Sequence, residues 1–145
     1  MTDGAMRLAA VMDEIAQVLT QVTGLRTVFP YPPPTLTPPA AYVSYPESFD
    51  YDQTYQSGIV QLTGIPIVLV CGKVNDRSAR DQMSVWTAAD GPSSVKALLS
   101  EHKWLSCDDL QVDDSAKPDQ ELVAGVPYLA VVFTATAQGP GKEGS

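Results

Sequence analysis

Apolar side chains near the start of the chain recur at steps of three and four residues, from Met6 to Thr23. This spacing places them on one face of an α-helix. The stripe consists of Leu8, Val11, Met12, Ile15, Val18, Leu19 and Val22. The opposite, polar face carries Asp13, Glu14, Gln17 and Gln21. Gly24 follows, and glycine readily adopts the left-handed conformation in which many helices end. We therefore predict a helix over residues 6–23.

Strand-like segments follow this helix. They are Leu25–Phe29, Ala40–Tyr45, Phe49–Tyr55 and Ile59–Thr63, the last leading through Gly64 into Ile65–Cys71. Ile65–Cys71 is almost continuously apolar, which predicts the most buried strand of the sheet. Pro66 lacks an N–H, so it must lie at the start of that strand or face away from a neighbouring strand.

Seven of the 12 prolines lie between Pro30 and Pro46. Proline fixes φ and removes a backbone donor, so we interpret this stretch as a stiff, extended connector at the edge of the domain. The alternative is a proline-rich ligand for an aromatic groove on another protein. The connector is favoured because such ligands usually lie in disordered tails.

The second half of the chain predicts two helices and two strands. A helix over Ser78–Ala88 presents Ala79, Met83 and Trp86 on one face, and a shorter helix over Val95–His102 presents Val95, Leu98 and Leu99. Ser93 or Ser94 is placed to cap the shorter helix. The strands are Leu110–Val112 and Val126–Ala137, and residues 113–121 between them read as a charged loop.

This order of elements predicts an α+β fold: a mixed, mainly antiparallel sheet with the N-terminal helix and two central helices packed on one face. The chain of 145 residues has the usual size of one domain. We expect a flexible N-terminus over residues 1–5, a single domain over 6–137 and a disordered tail over 138–145.

Acidic residues outnumber basic ones, with 17 Asp and Glu against 9 Lys and Arg, for a formal charge of -8. Proteins that grip nucleic acid usually concentrate basic side chains on one face, and no such run is present here. If the protein meets DNA, we expect its surface to let the DNA slide past without binding it. No apolar run approaches the ~20 residues of a membrane span. The acidic and amide side chains of the first helix also do not fit a signal peptide.

Residues that could carry chemistry are few. His102 is the only histidine, at the end of a predicted helix, where the helix dipole favours a cation. Cys71 and Cys107 are interpreted as buried thiols, with a disulfide as the alternative. A zinc site would need these three residues to converge without a Cys-x-x-Cys pair.

The sequence contains no nucleophile elbow, phosphate loop or dinucleotide fingerprint. The densest acidic cluster comprises Asp108, Asp109, Asp113, Asp114, Asp119 and Glu121. It lacks the alternating carboxylates of a calcium loop and is interpreted as a solvated acidic loop. We predict no catalytic residue, no cofactor and no metal. The alternative from another class is a small hydrolase that uses His102 or the Asp113 and Asp114 carboxylates.

The segment from Phe49 to Tyr55 has the composition of an interface. Strand periodicity places Phe49, Tyr51 and Tyr55 on one face and Asp50 and Asp52 on the other. Aromatic side chains are enriched in the cores of protein interfaces. The segment is therefore a candidate projecting hairpin. The alternative is that its aromatic side chains pack on the domain's own helices.

Four stretches together resemble the tail terminator proteins of long-tailed, siphovirus-type phages of actinobacteria. They are Arg26–Pro34, Ile65–Asp81, Gly91–Leu99 and Gly125–Phe133, and the resemblance spans residues 6–137. The most distinctive part is VNDRSARD at residues 74–81 followed by SVKA at residues 94–97. Pro92 departs from the pattern by interrupting its Gly-Ser stretch.

The resemblance implies a structural protein of the virion, assembled in the host cytoplasm, with no active site and no cofactor. Its α+β subunits would form a homohexameric ring at the head-proximal end of the tail. Partners would be other copies of the chain, the tail tube protein and a head-completion or neck protein, with DNA only passing through the lumen and no membrane contact. A head-closure or neck ring subunit is the alternative within the virion.

Ring closure needs two different complementary patches on each subunit. We expect the hairpin from Phe49 to Tyr55 to form one such patch, docking on a neighbouring subunit or on the tube. Its interface candidates are Phe49, Tyr51, Tyr55, Asp50 and Asp52. An acidic lumen would let DNA pass without sticking. The candidate lumen carboxylates are Asp50, Asp52, Asp108, Asp109, Asp113 and Asp114.

Overall fold

The computed structural model describes residues 6–51, 59–88, 94–113, 115–123 and 125–140. The helices are α1 (Leu8–Leu19), α2 (Arg77–Trp86) and α3 (Val95–Glu101). The strands are β1 (Thr27–Phe29), β2 (Ala40–Val43), β3 (Ser48–Tyr51), β4 (Ile59–Lys73), β5 (Asp109–Val112), β6 (Lys117–Val123) and β7 (Val126–Pro140). These described elements form an α+β fold with a mixed, mostly antiparallel sheet, and α1 packs against the sheet. The predicted fold class is confirmed.

Two long strands, β4 and β7, form the axis of the sheet. They pair antiparallel from Ile59–Pro140 at one end to Lys73–Tyr128 at the other. The outer edge of β4 carries β2 and then β3, and β1 adds to β2 in parallel. The outer edge of β7 carries β6 at one end and β5 at the other. The sheet therefore has two different lateral sides, one built from β1–β3 and the other from β5 and β6.

All three helices cover the same face of the sheet. Alternate residues of β4 and β7 point into a core that they share with the helices, as the twofold period of a strand requires. The sheet contributes Ile65, Ile67, Leu69, Val131, Phe133 and Ala135, and the helices contribute Val11, Ile15, Leu19, Trp86 and Leu99. The predicted stripes of all three helices are thus the ones that face the core.

Trp86 ties α2 to the end of α1. Its side chain is fully buried, and its indole Nε1 donates a hydrogen bond to the carbonyl oxygen of Thr23 at 3.0 Å. Ala79, one turn into α2, packs so closely on Gly72 that a Cβ there would lie 3.2 Å from the alanine methyl group. These contacts fix α2 over the end of β4.

The proline-rich connector crosses the other face of the sheet. Leu36 packs there against a small apolar cluster made by Val68, Val70 and Ala130. The connector therefore has a structural role within the domain, as the sequence predicted. It covers only the end of the face near the start of β2, and the other end is polar.

Pro66 lies in the middle of β4, where it pairs with Thr134 of β7. Its carbonyl oxygen accepts a hydrogen bond from the Ser44 amide at 2.9 Å, just past the end of β2. Because the N–H and C=O groups of a strand residue point to the same side, the missing donor faces the gap between β2 and β3. Of the two positions predicted, facing away from a paired strand is the one observed.

The charged loop predicted over residues 113–121 is wrong in its second half. Lys117–Val123 form strand β6, which pairs with β7 from Lys117–Val132 to Val123–Val126. The strand was missed because Asp119, Gln120 and their described neighbours are exposed, so no apolar alternation marks it. The hydrogen bonds of a hairpin, rather than burial, hold this segment.

The remaining boundaries differ by a few residues. The first helix spans Leu8–Leu19 within the predicted range 6–23, and the helices predicted to end at Ala88 and His102 end at Trp86 and Glu101. β7 continues through Pro140, past the predicted end at Ala137, because Gln138 and Gly139 pair with β4. None of the described helices is long and apolar enough to cross a membrane.

Candidate assembly surfaces

The face of the sheet opposite the helices carries a row of polar side chains across four strands. The register aligns Asp50 of β3 with Gln61 of β4, Gln61 with Gln138 of β7, and Gln138 with Asp109 of β5. Side chains aligned in this way share one face and lie about 5 Å from their neighbours. The row therefore places two amides between two carboxylates, and we call it the acid–amide row.

A shallow cavity of about 350 Å³ lies over one end of this row. Gln111, Asp113 and Thr136 line it together with the amides of the row and Asp109. Val112 is the one apolar residue of its described lining, and the other lining residues carry hydrogen-bonding side chains, none of them basic. The cavity is suited to water and cations and unsuited to phosphate.

Local hydrogen bonds hold the carboxylates of the row in place. The Ser48 hydroxyl donates to Oδ2 of Asp50 at 3.1 Å, and the hydroxyl of Thr63 donates to the same oxygen. Nε2 of Gln111 donates to Oδ2 of Asp109 at 3.2 Å. Asp50 and Asp109 are thus oriented by neighbours on their own face of the sheet.

Three of the proposed lumen carboxylates share this face: Asp50, Asp109 and Asp113. Asp113 follows the end of β5, where its amide donates to the carbonyl oxygen of Thr134. Asp108 is exposed just before β5, and its amide donates to Gln138. Asp52 and Asp114 lie outside the described residues.

Four aromatic side chains are exposed on the β1–β3 side of the sheet: Tyr31, Tyr45, Phe49 and Tyr51. Phe49 pairs with Leu62 and Tyr51 with Val60, so both lie on the helix-covered face but beyond the helices. Phe49 is 45% exposed and Tyr51 is 65% exposed. These values argue against close packing of the two side chains on the domain's own helices. Tyr55, predicted on the same face, lies outside the described residues.

Glu14 and His102 form a cluster that sequence reasoning did not find. Oε2 of Glu14 lies 2.7 Å from Nε2 of His102, and Oε1 accepts from the amide and hydroxyl of Ser106 at 2.8 and 2.6 Å. The amide of Leu105 donates to the same carboxylate at 3.0 Å. One carboxylate thus holds the segment between α3 and β5.

The hydrogen bonds to Glu14 lower its pKa below the ordinary value of 4.5. Burial alone would raise the pKa, but the bonds from Ser106, His102 and the Leu105 amide outweigh it. The only sequence signal for this cluster was a carboxylate on the polar face of α1, and nothing linked it to a histidine 88 residues later.

The arrangement differs from that of a hydrolase triad. In a triad, the imidazole lies between the acid and the hydroxyl and takes the hydroxyl proton. Here Ser106 Oγ and His102 Nε2 both contact Glu14, so the carboxylate lies between them. His102 also meets Trp104 edge to face, with ring centroids 4.6 Å apart. This cluster is built to hold a loop rather than to activate a nucleophile.

The two cysteines are buried free thiols, as predicted. Burial raises the pKa of Cys71 to about 11 and that of Cys107 to about 12, the latter with help from the charges of Glu14, Asp109 and Asp108. Both therefore remain protonated and unreactive near neutral pH. In the described parts of the chain, no three His, Cys, Asp or Glu side chains are grouped to hold a metal ion.

Comparison with known proteins adds no relative: no family model matches the chain, and no curated protein resembles it closely enough to count as one.

Proposed function

We propose that the protein is a tail terminator, a virion subunit that forms a ring on the head-proximal end of a phage tail tube. In this role it stops polymerisation of the tube and joins the tail to the head-completion proteins. The choice of a phage tail as the assembly rests on the sequence resemblance. The surfaces of the fold supply independent support for its mode of action.

A ring threaded by DNA needs a lumen surface that does not bind phosphate and a separate surface that binds protein. The helix-free face of the sheet, with the acid–amide row, meets the first requirement because its carboxylates repel phosphate. The exposed aromatic side chains of the β1–β3 side meet the second, because such side chains form the centres of protein interfaces. This separation of acidic and aromatic surfaces is the observation that carries the proposal.

In the proposed ring, Asp50, Asp109 and Asp113 face the lumen. Phe49 and Tyr51 project from the β1–β3 side and contact a tube or neighbouring subunit. Homohexameric closure follows the resemblance, and the two different lateral sides of the sheet are compatible with head-to-tail contacts between copies.

Electron microscopy of a phage lysate lacking this protein tests the function. Loss of a terminator leaves tubes of uncontrolled length, because nothing stops their polymerisation. Loss of a head-closure or neck subunit instead leaves tails of normal length beside unjoined heads. Normal, infectious particles in that lysate would refute both roles.

A further inference from the structure

The end of the β6–β7 hairpin carries two apolar side chains that the described residues of its own chain leave partly or largely exposed. Leu122 is 74% exposed and Val126 is 38% exposed. Pairing between β4 and β7 stops at Lys73–Tyr128, whereas β6 and β7 continue to pair up to Val123–Val126. The Val74 amide still donates to the Pro127 carbonyl oxygen at 3.4 Å, and Val126 lines a small cavity with Lys73. The hairpin end thus extends past the last paired residue of β4 and carries Leu122 with it.

An apolar groove of about 200 Å³ lies on the opposite side of the molecule. It is lined by Leu8, Ala9 and Met12 of α1 together with Pro30, Tyr31 and Tyr45. The ring of Tyr31 packs against that of Phe29, with centroids 6.3 Å apart, and this contact helps to hold Tyr31 in place. The groove is a preformed acceptor for one or two aliphatic side chains.

The hairpin end and the groove lie at diagonally opposite corners of the sheet. Leu122 pairs with Pro127 of β7. At the groove, Tyr45 directly follows Ser44, whose amide bonds to Pro66, and Pro66 pairs with Thr134 of β7. Pro127 and Thr134 are seven residues apart, which corresponds to roughly 23 Å along the strand. One copy cannot fill its own groove, so any contact between the two surfaces joins different copies head to tail.

Charge favours the same pairing. Copies of a chain with a net charge of -8 repel each other unless opposite charges meet where they touch. Lys73 is exposed beside Val126 and Pro127 at the base of the hairpin end. Asp13 is exposed at the rim of the groove. The two surfaces therefore present opposite charges next to exposed apolar groups.

We propose that the end of the β6–β7 hairpin, through Leu122 and Val126, docks into the groove of Leu8, Met12, Tyr31 and Tyr45 on a second copy of this chain. This contact rests on the proposed ring and names the surfaces that close it. It leaves Phe49 and Tyr51 of each copy free for the tail tube.

Cysteine cross-linking of the full-length protein tests the contact. The variant Leu122→Cys with Tyr45→Cys is oxidised mildly, both as purified protein and within assembled tails. The two positions on one copy are too far apart for a disulfide, which needs Cα atoms within roughly 7 Å. The native thiols of Cys71 and Cys107 are buried, and the unsubstituted protein treated in the same way is the control for them.

We expect a ladder of covalent oligomers, ending at the size of the closed ring, from the double variant alone. Each single variant should give no ladder, because it carries only one half of the contact. Tails that assemble normally but yield no ladder would overturn the proposed contact and leave the ring intact. A cross-link to a protein of different mass would overturn the choice of a second copy as the occupant.

A matched pair of leucine substitutions provides a second measurement. Leu122→Ser should weaken self-association by roughly tenfold or more, because it removes the apolar side chain that the proposed contact would bury. Leu105→Ser changes a leucine on another surface that is even more exposed, at 89%, and should leave association unchanged. Equal effects of the two substitutions would overturn the inference. A chain that is monomeric in solution and absent from tails would instead refute the proposed ring.

Discussion

The carboxylate of Glu14 lies 2.7 Å from Nε2 of His102 and also accepts hydrogen bonds from the backbone amides of Leu105 and Ser106. The Glu14 side chain is only 11% exposed, so these donors replace water around a buried charge. The contact joins the middle of α1 to the segment that leads into β5. It therefore fixes the position of β5, and with it Asp109 of the acid–amide row.

Replacing Glu14 by Gln should lower the free energy of unfolding by about 2–3 kcal/mol, since charge-assisted hydrogen bonds are lost inside the structure. Chemical denaturation at pH 7 measures this change. Glu101→Gln is the matched control, because Glu101 is exposed at the end of α3 and its replacement should change stability by less than about 0.5 kcal/mol. Equal losses from both variants would contradict the role given to Glu14.

The contribution of Glu14 should also depend on pH. Its pKa is lowered in the folded protein, so the ionised form stabilises the fold fully above its ordinary pKa of 4.5. This stabilisation disappears as the pH falls below 4.5 and through the lower folded-state pKa. The stability difference between the parent protein and Glu14→Gln should therefore be fully present at a pH well above 4.5. It should shrink in more acidic solution, and a difference that grew on acidification would contradict this account.

Gly64 occupies a bulge in β4 that only glycine fits. Its φ is +73°, and a Cβ there would lie 2.9 Å from Cβ of Glu47, whose amide bonds to Thr63 across the bulge. Gly64→Ala should destabilise the fold by about 2–4 kcal/mol, through backbone strain and the clash together. Gly125→Ala is the control, because its φ is +80° but, apart from its chain neighbours, no described residue lies within 4 Å of the added methyl group. Thermal unfolding should show the smaller loss, about 1 kcal/mol, for Gly125→Ala.

The acidic character of the helix-free face can be tested by reversing its charge. Asp109→Lys with Asp113→Lys should create salt-dependent DNA binding, because the new cations release counterions from phosphate. Asp76→Lys with Asp81→Lys makes the same change in net charge near α2 and should bind DNA more weakly. Fluorescence anisotropy with labelled duplex DNA at low and moderate salt compares the two. Equal binding by both variants would show that net charge alone, and not this face, keeps DNA from sticking.

The exposed aromatic side chains should matter for assembly and not for folding. Phe49→Ala with Tyr51→Ala should change the free energy of unfolding by less than about 1 kcal/mol per residue, because Phe49 is about half exposed and Tyr51 is mostly exposed. The same variant should give tails of irregular length, whereas Val85→Ala on the exposed side of α2 should not. Tail lengths measured in electron micrographs decide this, and normal tails from the double variant would remove these residues from the interface.

Burial patterns explain which elements the sequence could predict. The stripe of α1 and the apolar run of β4 were visible because their side chains face a core. Strand β6 was not visible, because its described side chains are exposed and only backbone pairing with β7 holds it. The Glu14 cluster was equally hidden, since contacts between residues 88 positions apart leave no local pattern.

Whether a pattern is local also decided which parts of the candidate surfaces could be predicted. Alternation along β3 correctly separated Phe49 and Tyr51 from Asp50, because strand periodicity is a local property. The acid–amide row could not be predicted, because Asp50 and Asp109 are brought into one row only by the registers of the two strands between them, β4 and β7. The groove for Leu122 likewise combines α1 with loops that follow β1 and β2.

The mass of the assembled protein tests the central claim most directly. We expect native mass measurement of the protein released from purified tails to give a closed ring of six copies, the number that the resemblance implies. The purified protein in dilute solution can remain monomeric, since the ring can close on the tube. A protein that stays monomeric in both settings, or that is absent from virions, would contradict the account.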